Sequence, residues 1–185
     1  VLVTGGDGDG YSIGGNHFLH ACRRNVDLTY NVMDNHVYGM TKGQPSPTTE
    51  PDWDSKLSPG GTGVRSFHPL VIALASGANF VARAFSGDPN GTAAIIAQAI
   101  RHPGFSFVEV LSPCVTFRPD QREWKQMAHP APVTPTDDPA RAARRIMTDD
   151  GFNIGVLYAG DRKPYATIPG KPQATVADLE TEFEQ

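Results

Sequence analysis

Apolar and polar positions along this chain alternate in blocks that switch between strand-like and helix-like spacing. Val1–Thr4 is a short apolar run that stops at glycines, and it reads as a buried strand. From Ile13 to Arg24 the apolar residues Ile13, Phe18, Leu19 and Cys22 fall at helical spacing, and Arg23-Arg24-Asn25 supplies a C-terminal stop signal. Leu28–Met33 reads as the next strand, with Asp34-Asn35 at its end. Strand, helix and strand within some thirty residues make a βαβ unit, whose crossover is right-handed almost without exception. The stretch 41–63, TKGQPSPTTEPDWDSKLSPGGTG, is rich in Pro, Gly, Ser and Thr and too long for a simple connection, so it is expected to serve a site or an interface.

The same alternation continues downstream. A helix is predicted near Pro69–Ser76, a strand at Asn79–Phe85, a helix from Asp88 to His102 and a strand at Ser106–Leu111. Pro130–Pro139 reads as a surface connector. Ala140–Met147 is predicted helical, Ile154–Tyr158 a last strand, and Val176–Phe183 an acidic terminal helix. No internal repeat is present. The predicted architecture is one three-layer α/β domain over 1–185 with a mostly parallel central sheet.

Composition narrows the function without choosing it. The chain has 185 residues, 39% of them hydrophobic, and a formal charge of −4. That excludes the basic stripe of a nucleic-acid binder. The longest strongly apolar run, Pro69–Ala75, is far below the roughly 20 residues of a membrane helix. Two cysteines, Cys22 and Cys114, make no disulfide framework, which points to a reducing cytoplasm. The chain opens directly on a strand, without Met, so the expectation is that something normally precedes Val1 or that a neighbouring chain supplies it.

The chemistry gathers at the two ends of the first βαβ unit. In a parallel sheet, ligands bind beyond the carboxyl ends of the strands. The first strand runs into Gly5–Gly10, which carries Asp7 and Asp9 but no lysine; the second runs into Asp34–Val37. The crossover should bring Asp7 and Asn35 close to a common point. One carboxylate, one side-chain amide and nearby carbonyls form a hard oxygen site, suited to Mg²⁺ or Ca²⁺ rather than zinc. The glycines around Asp7 permit close approach of a phosphate, and the following helix N-terminus favours its charge. The divalent ion then plays the part that a lysine has in other phosphate loops. A Rossmann site is disfavoured, since Gly-x-Gly-x-x-Gly and an acidic residue at the next strand end do not occur in the usual relation. A P-loop lacks its Lys-Ser/Thr.

A Gly-Asp-Gly followed about thirty residues later by an Asn-bearing strand end resembles the thiamine diphosphate motif. The longer stretch 5–49, GGDGDGYSIGGNHFLHACRRNVDLTYNVMDNHVYGMTKGQPSPTT, with SPCVTF at 112–117 in the right order, resembles the beta subunit of the 2-oxoacid:ferredoxin oxidoreductases, those acting on 2-oxoglutarate especially. The resemblance implies the three-layer thiamine diphosphate-binding fold and a role in oxidative decarboxylation of a 2-oxoacid to its acyl-CoA. It implies an alpha-subunit partner and transfer of electrons through iron–sulfur clusters to ferredoxin. It implies Mg²⁺ held by Asp7, Asn35 and the backbone of Val37, with Gly6, Gly8, Asp9 and Tyr38 also at the cofactor. Gly8-Asp9-Gly10 is a rival register, and Asp7 is preferred because it lies nearer the strand end. Met40 and Lys42 are implied to face the substrate, Lys42 as a point charge for a distal carboxylate.

The resemblance also implies that Cys114 is the last thiolate of a [4Fe–4S] cluster. The family's N-terminal Cys-x-x-Cys segment is absent here, and a cluster normally needs four thiolates. Cys114 is therefore expected as a free thiol unless the other ligands are supplied. No general base is assigned in this chain; Glu50 and Glu109 are available, but nothing singles out either. His17 and His20, three apart on the first helix, lack a third ligand and are expected to make ordinary helix contacts. Two alternatives stay open: a non-oxidative thiamine diphosphate enzyme of the decarboxylase or synthase type, which needs no Cys114, and a catalytically inactive α/β subunit.

Overall fold

The computed structural model describes residues 1–132 and 134–165. The terminal helix expected at Val176–Phe183 lies outside them. The elements follow the predicted alternation: β1 (Leu2–Gly6), α1 (Gly15–Arg24), β2 (Thr29–Asp34), α2 (Pro69–Ala75), β3 (Phe80–Phe85), α3 (Pro89–Arg101), β4 (Ser106–Leu111), α4 (Trp124–Met127), β5 (His129–Pro130), α5 (Pro139–Thr148) and β6 (Asn153–Ala159). Helix ends obey local chemistry. Asp88 and Asp138 cap α3 and α5 by accepting from backbone N–H groups one turn in, each with a proline at the first helical position. Asn25 ends α1 in the left-handed conformation.

The strands form one sheet in the order β1-β2-β4-β3-β6-β5. The first four are parallel, and β6 runs antiparallel to β3. One face packs Phe18 and Cys22 of α1, Leu70 and Leu74 of α2 and Ile146 of α5 against Val32, Val81 and Phe107. The opposite face packs Ile95 and Ala99 of α3 against Ala82, Val108 and Val110. This is the three-layer architecture expected of the chain. Each large side chain so buried stabilises the fold by about 1.5–3 kcal/mol before entropy is counted.

Two expectations need correction, and one segment lies outside them. The first strand is not buried: it spans Leu2–Gly6, with Leu2 and Val3 exposed, because it lies at the sheet edge and pairs with β2 alone. Of the four residues expected on the apolar face of the first helix, Phe18 and Cys22 are buried, while Ile13 is fully exposed. Asp9–Ile13 forms a separate π-helical turn that precedes α1 and swings Ile13 outward. The segment after β4 contains a 3₁₀ turn at Pro119–Glu123 and the short α4, for which the sequence pattern gave no prediction.

What positions the site is the strand order. β2 lies between β1 and β4, with Gly6 opposite Met33 and Asp34 opposite Leu111. Three loops therefore leave the same edge of the sheet side by side: the Asp7 turn, the Asn35–Gln44 loop and the Ser112–Gln121 segment.

Candidate functional site

Asp7 and Asn35 line one cavity of about 400 Å³, together with Gly6, Gly8, Asp9, Val37 and Tyr38. Every residue expected at the cation and the cofactor is thus gathered at one place. Asp7 is buried, and its hydrogen bonds are lopsided. Oδ2 accepts from Ser46 Oγ at 2.5 Å and from Thr48 Oγ1 at 3.1 Å, while no protein group among the described residues donates to Oδ1. One oxygen is clamped and the other left available. Asn35 Oδ1 accepts from the Val37 N–H at 3.1 Å, a turn that keeps one lone pair free and sets the following backbone. His36 holds a left-handed φ of 55°, reversing the chain between Asn35 and Val37.

The two loops are locked to each other. Tyr38 Oη donates to the Gly8 carbonyl at 3.1 Å, across the cavity wall. A Cβ on Gly8 would overlap the Tyr38 ring, so glycine is required there by close approach rather than by backbone angle. Asp9 is exposed at the start of the π-helical turn and makes no capping bond. Met40 is fully exposed on the rim. Lys42 stands beyond the lining, exposed, at the tip of the loop closed by the Tyr38–Gln44 bridge, with φ of 68°.

Thr48 links Asp7 to a second buried carboxylate. Its hydroxyl lies 2.7 Å from Asp34 Oδ1 and 3.1 Å from Asp7 Oδ2. A hydroxyl has one proton, so both contacts are satisfied only if a carboxyl supplies another. Asp34 suits that part: burial raises its pKa to about 7, with Glu109 and Asp7 adding to the rise and His36 and Thr48 opposing it. Its Oδ2 is buried without a partner among the described residues. The raised pKa of Asp34 favours its protonated form, which can donate to Thr48 while Thr48 donates to Asp7.

A second polar cavity of about 250 Å³ adjoins, with Asp34, His36, Arg83, Glu109 and Trp124 among its lining. Here charges are paired. Arg83 Nε donates to Glu109 at 2.6 Å and Nη1 to Asp149 at 3.2 Å. Burial works against the Arg83 cation but is outweighed by Glu109 and then Asp149, which hold its pKa above the ordinary value. Glu50 joins His36 Nδ1 at 2.9 Å and Arg118 Nη1 at 2.8 Å. Burial pushes Glu50 up, but hydrogen bonds from His36 and Arg118 prevail and bring it down to about 2.

Cys114 is half-buried and close to Gly39 of the Asn35–Gln44 loop. Cys22 is fully buried in the core, and burial pushes its thiol up to about 12, making it inert. Among the described residues no three His, Cys, Asp or Glu side chains cluster in a metal-binding geometry. Sequence reasoning assigned no role to Ser46, Thr48 or Gln121. Hydroxyls in a proline-rich loop were the visible trace of the first two; Gln121 left no trace, lying far along the chain from the residues it touches.

Residues 1–110 match the family described as thiamine pyrophosphate enzyme, C-terminal TPP binding domain. The chain belongs to this family. Within it, the chain is 49% identical over 116 residues to the 2-oxoglutarate synthase subunit KorB of Archaeoglobus fulgidus, covering 63% of this chain and 43% of that protein. It is 38% identical over 169 residues to the 2-oxoacid:ferredoxin oxidoreductase subunit beta of Saccharolobus solfataricus, covering 89% and 55%. The solved 2-oxoglutarate:ferredoxin oxidoreductase from Magnetococcus marinus, with 2-oxoglutarate, coenzyme A and succinyl-CoA bound, superposes with a TM-score of 0.81 at 37% identity over 89% of this chain and 59% of that one. The chain spans about half the length of these relatives.

The residues present fit the magnesium salt of the family's cofactor. A free carboxylate oxygen, an amide oxygen and a backbone carbonyl offer hard donors, and the Gly8 cradle has no side chain to obstruct a diphosphate. Among the described residues no cationic side chain pairs with Asp7.

Proposed function

We propose that this chain is the cofactor-binding portion of the beta subunit of a ferredoxin-linked 2-oxoacid oxidoreductase, with 2-oxoglutarate the favoured substrate. The single observation that carries the reading is buried Asp7 in the wall of the cavity it shares with Asn35 and Val37, with both clamping hydroxyls on Oδ2 and no donor to Oδ1 among the described residues. Bound there, magnesium thiamine diphosphate supplies the carbon nucleophile that decarboxylation of a 2-oxoacid requires.

The chain's own residues bind and orient. Asp7 Oδ1, Asn35 Oδ1 and the Val37 carbonyl hold Mg²⁺. Ser46 and Thr48 fix the Asp7 carboxylate, and Gly6, Gly8, Asp9 and Tyr38 shape the diphosphate cradle. Met40 limits the substrate pocket at the rim. Lys42, at the loop tip, meets the distal carboxylate of the substrate once the partner subunit closes over it. Cys114 contributes one thiolate to a [4Fe–4S] cluster whose remaining ligands come from outside the present chain. The alpha subunit completes the pocket, ferredoxin takes the electrons and coenzyme A takes the acyl group. The protein works in the cytoplasm; among the described residues no helix is long and apolar enough to cross a membrane.

Calorimetry tests the core of this. The chain assembled with its partner subunit binds thiamine diphosphate only when Mg²⁺ is present, and Asp7→Ala with Asn35→Ala abolishes that binding. Unchanged binding in the double variant overturns the reading. The chain without its partner binds the cofactor weakly and does not turn over. The oxidative assignment, as opposed to a non-oxidative decarboxylase, rests on Cys114 lying beside Gly39 of the ligand loop. Cys114→Ser in the complex stops ferredoxin reduction and spares decarboxylation; loss of neither favours the non-oxidative alternative.

A further inference from the structure

Gln121 is fully buried, and both ends of its side-chain amide are used. Oε1 accepts from the Cys114 N–H at 2.8 Å, and Nε2 donates to the Asn35 carbonyl at 2.7 Å. One planar group thus spans from the backbone of the half-buried Cys114 to the backbone of the residue that offers the amide oxygen to the cation. Arg118, on the same turn, reinforces the arrangement: its N–H closes the segment onto the Cys114 carbonyl at 2.8 Å, and its buried guanidinium pairs with Glu50 at 2.8 Å. Thr49 Oγ1 donates to the His36 carbonyl at 2.6 Å, so the carbonyls of both Asn35 and His36 are held from outside their own loop. With those carbonyls fixed, the peptide planes on either side of the left-handed His36 have little freedom.

We infer that Gln121 is the positioning residue that sets the Asn35–Tyr38 loop against Cys114, so that occupation of the cation site is transmitted to the thiol. The inference rests on the cofactor reading above and adds a residue and a coupling to it. The physical basis is a shared rigid element. A ligand that fixes the Asn35–Val37 backbone restricts the Gln121 amide, and the amide restricts the Cys114 backbone on its other side. Coupling of this kind is reciprocal, so whatever loads Cys114 also tightens the cation site. Removing one partner from a buried amide leaves donors and acceptors unpaired, which loosens both loops together.

The test uses the full chain, alone and with its partner subunit. Cys22 is buried, so in the complex prepared without its cluster iodoacetamide labels Cys114 of this chain, and the labelling rate read on that residue's peptide reports the thiol directly. In the natural chain saturating Mg²⁺ and thiamine diphosphate change the labelling rate about fivefold, a coupling of the usual size. Gln121→Met, of similar volume but without either hydrogen bond, weakens cofactor binding about tenfold and makes Cys114 labelling indifferent to the cofactor. Loss of the cofactor's effect on labelling while β3 and β4 keep their exchange protection separates positioning from bulk stability. Amide exchange at Val37 and Tyr38 gives a cofactor-independent arm: Gln121→Met speeds it about tenfold or more while β3 and β4 stay protected. If the natural chain shows heat of cofactor binding but labelling does not respond, or if Gln121→Met leaves exchange at Val37 and Tyr38 unchanged, the inference is overturned. Absence of any heat in the natural complex overturns instead the cofactor reading, and the exchange arm then decides whether the tie itself exists.

Discussion

Two polar cavities lie side by side at one edge of the sheet, and they treat charge in opposite ways. In the one beyond β3 and β4, the ion pairs close on protein partners: Arg83 serves Glu109 and Asp149, and half-exposed Glu50 lies between His36 and Arg118, while burial pushes Asp34, whose Oδ2 has no partner among the described residues, toward its neutral form. In the one beyond β1 and β2, Asp7 receives two hydroxyls on Oδ2 and nothing on Oδ1. A buried carboxylate without a cation is costly, and the fold tolerates this one where a cavity gives access to it. Balanced charge marks structure; unbalanced charge at an accessible cavity marks a place for a ligand.

The contrast can be broken most directly at Arg83. Arg83→Met leaves Glu109 and Asp149 buried without their counter-ion, and the expected loss of stability is about 3–5 kcal/mol, read as a shift in the urea midpoint. A loss below about 1 kcal/mol would mean that this pairing is not what holds the region. Asp7→Asn has the opposite profile: cofactor affinity in the presence of Mg²⁺ falls about a hundredfold by calorimetry, while the urea midpoint stays the same or rises, since a buried charge has been removed. Concurrent loss of stability and binding would place Asp7 among the structural charges.

The next effect is one of pH. Burial raises the pKa of Asp34 to about 7. A raised carboxyl pKa means that the folded state binds the proton more tightly than the unfolded chain. Its contribution is fully present below the ordinary carboxyl pKa of about 4 and is lost as pH rises through about 7. Asp34→Asn should flatten that part of the stability–pH curve, gaining most over the natural protein above pH 7 and least near pH 4. A curve identical to that of the natural chain would show that Asp34 is ionised in the fold. The smallest effect is expected at the carboxylate clamp: Ser46→Ala, which removes the 2.5 Å donor to Asp7, should weaken Mg²⁺-dependent cofactor binding about tenfold with little change in fold.

Much of this was legible in advance because it is local. Alternation and helical spacing placed β4 at Ser106–Leu111 and bracketed α3 between Asp88 and His102, where a capping aspartate and a proline mark the start. Gly-Asp-Gly and Asp-Asn are themselves turn signals, so the loops that carry Asp7 and Asn35 announced themselves. The exposure of β1 was not legible, since an apolar run reads alike at the centre and at the edge of a sheet. Nor was the outward Ile13, because a π-helical turn shifts the helical phase by a residue that the spacing does not reveal.

The sequence by itself determined the α/β class and the two turns that carry Asp7 and Asn35, both of which follow from residue types and short-range spacing. Only the tertiary structure decided which other residues stand beside them. By pairing β2 with β4, the sheet carries Gln121 to within hydrogen-bonding reach of Asn35 and Cys114 close to Gly39, although some eighty positions separate them in the chain. The return of the long loop puts Ser46 and Thr48 on one oxygen of Asp7 and leaves the other free. The physical reason is that backbone preference and hydrophobic spacing are encoded over a few residues, whereas strand order and the satisfaction of a buried polar group depend on the whole chain at once.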